Sequence, residues 1–133
     1  MSKKERVDKV LKFFSEYFDL GRLYGNAEAY DYMVDVLEKS NLKTSNPKLL
    51  LNTICLGLDS ICDALEKTNN FVRTESPTLA TQFSLLIQEI ATLADNVRIL
   101  SGEDKYEEAF KILRKARREV NRFLKKHEET VYG

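Results

Sequence analysis

From Leu79 to Leu100 the apolar residues Leu79, Phe83, Leu86, Ile90, Leu93, Val97 and Leu100 fall alternately four and three apart, through three full heptads. That spacing lines one side of an α-helix. Ala80, Ile87, Ala91 and Ala94 widen the seam into a face, and only Glu89, Asp95 and Arg98 carry charge in the stretch. A helix this apolar needs cover on most sides, so the other segments must pack around it. Nothing in the chain alternates at period two over a useful length, so helices are the only regular element the pattern predicts.

Taken in order, the chain predicts a first helix over 3–20, with Val7, Leu11, Phe14 and Phe18 as its stripe. Gly21 and Gly25 then bracket Arg22-Leu23-Tyr24, which reads as a turn. Asn26 is placed to cap a second helix over 26–39, lined by Tyr30, Met33 and Leu37. Ser40 to Asn46 is polar and reads as a loop. Asn46-Pro47 and Ser76-Pro77 are both cap-then-proline helix starts, opening helices over 47–67 and 77–100. Leu51, Ile54, Leu58, Ile61 and Leu65 form the seam of the former, with Thr68 to Ser76 as a loop after it. Gly57 inside that helix points to the close approach of another helix. Ser101 and Asp104 resemble a loose capping box at the start of a last helix over 103–129. Its stripe is Ala109, Leu113, Ala116, Val120, Phe123 and His127. The expected fold is all-α: an antiparallel bundle of four to five helices joined by short loops.

At 133 residues the chain is expected to form one domain, 1–133. Hydrophobic residues make up 43% and charged residues 32%, which argues against global disorder. Cys55 and Cys62, seven residues apart on one helix, lie about 10 Å apart along its axis, too far to form a disulfide with each other. They read as small buried apolar residues in a reducing compartment. No apolar run resembles a secretory leader or a membrane span, so the expected location is cytoplasmic, with no membrane partner.

Motifs that carry chemistry are sparse. There is no glycine-rich phosphate loop, Cys-x-x-Cys or His-Glu-x-x-His. One histidine and two cysteines do not make a zinc site, and no cofactor is expected. Asp59 and Asp63, facing Asp31 and Asp35, are similar to the paired acids of helical nucleotide pyrophosphohydrolases, which would imply a magnesium site. Those families carry Glu-x-x-Glu and Glu-x-x-Asp pairs, Glu28-x-x-Asp31 is the only comparable pair on these two helices, and a solvated acidic face is the preferred reading, with no metal.

Arg122-Phe-Leu-Lys-Lys-His127 resembles the short Arg-x4-His motif of the helical ribonucleases called HEPN. The resemblance covers six residues and implies RNA cleavage by Arg122 and His127 at a dimer interface. Phe123 stands where that family usually has a polar residue. His127 also closes the apolar stripe of its helix, and that packing role is the preferred reading.

The distributed signal lies in the last helix. Lys111, Arg114, Lys115, Arg117, Arg118, Arg122, Lys125 and Lys126 face a single acid, Glu119, within sixteen residues, although the chain as a whole has no net charge. Such a ridge suits the phosphates of RNA or DNA, or an acidic protein surface. Lys111, Arg114, Lys115, Arg118, Arg122, Lys125 and Lys126 are therefore the expected contact residues. Neutralisation by Glu28, Asp31, Asp35 and Glu38 would instead make the ridge scaffold. Tyr24 and Tyr32 are the candidates for a protein interface, with a protein partner or a second copy. Together these features predict a non-enzymatic adaptor or assembly subunit of a nucleoprotein complex, with the ribonuclease and a purely structural protein–protein module as alternatives.

Overall fold

The seams of the sequence close into four helices in a computed structural model: α1 (Lys3–Ser40), α2 (Pro47–Glu75), α3 (Pro77–Gly102) and α4 (Tyr106–Tyr132). The structure describes the backbone of residues 2–40, 43 and 45–132, and the side chains of these except 8–20, 71, 74–75 and 127–132. Successive helices run antiparallel. α1 packs on α2 and α4, α3 packs on α2 and α4, and α2 meets α4 across the centre.

The core is one contiguous cluster drawn from every helix. Tyr30, Val34 and Leu37 of α1 meet Leu51, Ile54, Leu58, Ile61 and Leu65 of α2. Phe83, Leu86, Ile90, Leu93 and Val97 bring in the α3 seam, and Ala109, Leu113, Ala116, Val120 and Leu124 bring in that of α4. Cover over α3 is incomplete. Ala91, expected on its buried face, is exposed, as are Leu85 and Ile99.

The start signals of α2 and α3 hold. Asn46 Oδ1 accepts from the Leu49 N–H at 3.0 Å, and Ser76 Oγ accepts from the Leu79 N–H at 3.3 Å. Gly57 has the neighbour expected of it: a Cβ there would stand 3.1 Å from Met33 Cε and 3.4 Å from Tyr30 Cδ2.

Three boundaries depart from the pattern. The turn expected at Gly21–Gly25 does not form, and 3–20 and 26–39 are one helix. Leu23, inside the expected turn, is fully buried, and burying it is worth ~1.5–3 kcal/mol, enough to offset two helical glycines at about 1 kcal/mol each. Neither glycine has a positive φ, and Asn26 is not a cap: its Nδ2 donates to the Ser60 carbonyl at 3.3 Å.

The loop expected over Thr68–Ser76 is instead the last two turns of α2. The seam continues with polar residues. Thr68 and Asn69 are buried, Thr68 Oγ1 donates back to the Ala64 carbonyl at 2.8 Å, and Val72 packs on the core. Phe71 lies outside the described side chains. Finally, Glu103 ends α3 rather than starting α4, and the chain reverses through Asp104 at φ 61°. Ser101 belongs to α3, where its Oγ is buried with no hydrogen-bond partner among the described residues.

Candidate functional site

The eight cations of α4 divide into sets by the side of the helix on which they lie. Arg114 and Arg117 face α1. Arg114 Nη1 lies 3.4 Å from Glu38 Oε1, and Arg117 reaches Glu38 Oε2 at 3.5 Å and Asp31 Oδ1 at 3.7 Å. Asn121 extends this edge by donating to Asp31 Oδ1 at 3.3 Å. The antiparallel register places Glu38 beside the start of α4 and Asp31 beside its middle. The acidic row of α1 thus neutralises the two cations it can reach. Asp35 of the same row is taken by Lys39 of its own helix at 3.0 Å.

The outward side is different. Lys111, Lys115, Arg118 and Lys125 are exposed and carry no ion pair among the described residues. With Arg122 they fall within about 80° of arc, and Lys111 to Lys125 spans ~21 Å along the axis. Arg122 is 73% exposed, and among the described residues its ion pair is with Glu119 of its own helix, at 3.4 Å. Lys126, also exposed, stands on the border with α3, where it joins Gln82, Leu85, Leu86, Glu89, Glu119, Arg122 and Phe123 around a groove of ≈280 Å³.

The two tyrosines also separate. Tyr24 is half-buried, and its hydroxyl donates to the Leu124 carbonyl at 3.4 Å, so it joins α1 to α4. Tyr32 is 70% exposed. With Val36 it stands over an apolar groove between α1 and α2.

His127 lies outside the described side chains, so the Arg122–His127 pair has no described geometry. Asp59 is engaged by Arg98 and Asp63 by Lys67, and among the described residues no three His, Cys, Asp or Glu side chains converge to hold a metal ion. Among the described residues, no helix is long and apolar enough to cross a membrane. Both cysteines are free thiols. Cys55 is buried with its Sγ 3.3 Å from the Ala94 carbonyl, and Cys62 is half-buried. Burial pushes each thiol up to about 11 from the usual 9, with Asp59 acting in the same direction on both and Arg98 opposing at Cys55.

The α4 ridge was visible in the sequence, but its division was not. A helical wheel of α4 alone shows eight cations. Only the register against α1 tells which are spent. No protein-family model matches this chain, and neither curated proteins nor solved structures show a significant similarity to it.

Proposed function

We propose that the protein is a non-enzymatic helical adaptor that holds a nucleic-acid backbone against the outward face of α4. The observation that supports this reading is the division of the cations. Those facing α1 are paired with carboxylates, whereas Lys111, Lys115, Arg118 and Lys125 are exposed on one side with no ion pair among the described residues. Like charges kept unpaired along one face repel each other, a cost that a bound polyanion relieves. The spacing of three and four residues repeats every turn, so successive cations follow a line of phosphates without reading bases. Tyr32, exposed beside Val36, is the residue we assign to the protein partner of the assembly. The two free thiols accord with work in a reducing cytoplasm.

Fluorescence anisotropy with a labelled oligonucleotide at low salt tests the reading. Binding is expected to weaken steeply with salt, with a log–log slope of about −3 to −4 for four phosphate contacts. Changing Lys111, Lys115 and Arg118 together to Glu is expected to abolish it. An absence of binding at low salt, or binding indifferent to that triple change, overturns the proposal.

A further inference from the structure

The free row of α4 borders the α3/α4 groove, and the two differ in chemistry. Leu86 forms the buried floor and Phe123 a half-buried wall, held edge to face against Phe83 with centroids 4.9 Å apart and planes at 87°. Leu85 stands on the α3 wall, 60% exposed despite its size. Gln82 offers an amide one turn away. The α4 wall carries Arg122 and Lys126, so the cations of the groove lie on the side shared with the ridge. Glu119 is occupied by Arg122, which leaves Glu89 as the carboxylate of the opposite wall.

We propose that this groove takes an unstacked base, so that the ligand of α4 is a single-stranded nucleic acid rather than a duplex. The inference rests on the reading of α4 as a backbone-binding face. Apolar and aromatic walls exclude water from the faces of a base, which every base presents alike. Gln82 meets the base edge with one donor and one acceptor, and Glu89 accepts from an exocyclic amino group. The same carboxylate repels phosphate, which keeps the backbone on the α4 side, over Arg122 and the free row. A duplex has its base faces covered by stacked neighbours, so no base of it can enter the groove. It reaches the cations alone.

The test uses the full chain with three probes at one low salt concentration: a labelled twelve-nucleotide single strand, the matching duplex, and heparin as a polyanion without bases. The single strand is expected to bind at least about fivefold more tightly than the duplex, the lower end of what stacking of one base contributes. Leu85→Ala and Gln82→Ala are expected to remove that preference while leaving duplex and heparin binding unchanged. A 5-iodouracil strand is expected to cross-link to the peptide that contains Phe123. Equal or tighter binding of the duplex, or a Leu85→Ala effect of the same size on all three probes, overturns the groove as a base site but leaves the α4 reading standing. Failure of all three probes to bind overturns both.

Discussion

The hydroxyl of Tyr30 on α1 donates to the main-chain carbonyl of Leu113 on α4 at 2.6 Å, with both residues buried. One short bond thus joins helices whose bonded residues lie 83 positions apart. Tyr30→Phe keeps the ring and removes the bond, so stability is expected to fall by about 1 kcal/mol, read from a urea melt. Burial, reinforced by Cys55 and opposed by Arg117, holds the Tyr30 hydroxyl protonated far above its ordinary pKa of 10. The folded state therefore keeps a proton that the unfolded chain loses above pH ~10, and stability falls as pH rises past that point. In Tyr30→Phe this alkaline decline is expected to be shallower than in the wild type. An equal decline in both would assign it to other groups.

The thiols follow the same sign at lower pH. Cys55 and Cys62 ionise near 11 in the fold and near 9 when unfolded, so each contributes stability that is complete below pH ~9 and lost between 9 and 11. At pH 8 the thiolate fraction of the folded protein is roughly a hundredfold below that of the unfolded chain; the greater nucleophilicity of a thiolate of higher pKa recovers part of this, so reaction with a disulfide reagent is expected to slow at least about tenfold. Stopped-flow absorbance in buffer and in 6 M guanidinium compares the two. Comparable rates in both would contradict the burial of these groups.

Gly25 and Gly57 are expected to respond differently to alanine. A Cβ on Gly25 meets nothing within 4 Å, and the site is helical and exposed, so Gly25→Ala is expected to add about 1 kcal/mol. At Gly57 the same gain is offset by crowding against Met33 Cε at 3.1 Å. Gly57→Ala is therefore expected to stabilise less than Gly25→Ala, and Gly57→Leu to destabilise. Thermal melts of the three variants rank them, and a Gly57→Leu protein as stable as the wild type would contradict the packing of α2 on α1.

Arg117 and Arg118 are neighbours in sequence with opposite expected roles. Arg117, 23% exposed and within reach of both Asp31 and Glu38, belongs to the scaffold, and Arg117→Ala is expected to cost up to about 1 kcal/mol with little loss of oligonucleotide binding. Arg118→Glu is expected to leave the melting temperature within a few degrees and to weaken binding at least fivefold. Exchange of these two phenotypes would mean that the cations of α4 are divided the other way.

Much of the fold was legible because its strongest signals are local. Asn46-Pro47 and Ser76-Pro77 carry their caps within four residues, and the α3 seam repeats often enough to outweigh Thr81, Gln82, Ser84 and Gln88. The two missed helix continuations have one cause. Glycine and polar residues punctuate a helix by local rules, but at Gly21–Gly25 and Thr68–Ser76 burial decides the outcome. Leu23 keeps Gly21 and Gly25 helical, and Thr68 hides its hydroxyl on the Ala64 carbonyl, so neither segment breaks. The candidate site follows the same logic. The cations of α4 are plain in the sequence, yet which of them stay free depends on Asp31 and Glu38, some 80 residues earlier. The groove beside them exists only where Leu85 of one helix meets Phe123 of another.

Ser76 is the sole residue between α2 and α3, and it serves both: its N–H closes on the Val72 carbonyl and its Oγ receives the Leu79 N–H. A joint with no slack brings the two helices together at almost no entropic cost of chain closure. This hairpin is therefore expected to form early in folding, with the first and last helices docking on it. Lengthening it with a few glycines would slow refolding far more than the same insertion between α1 and α2.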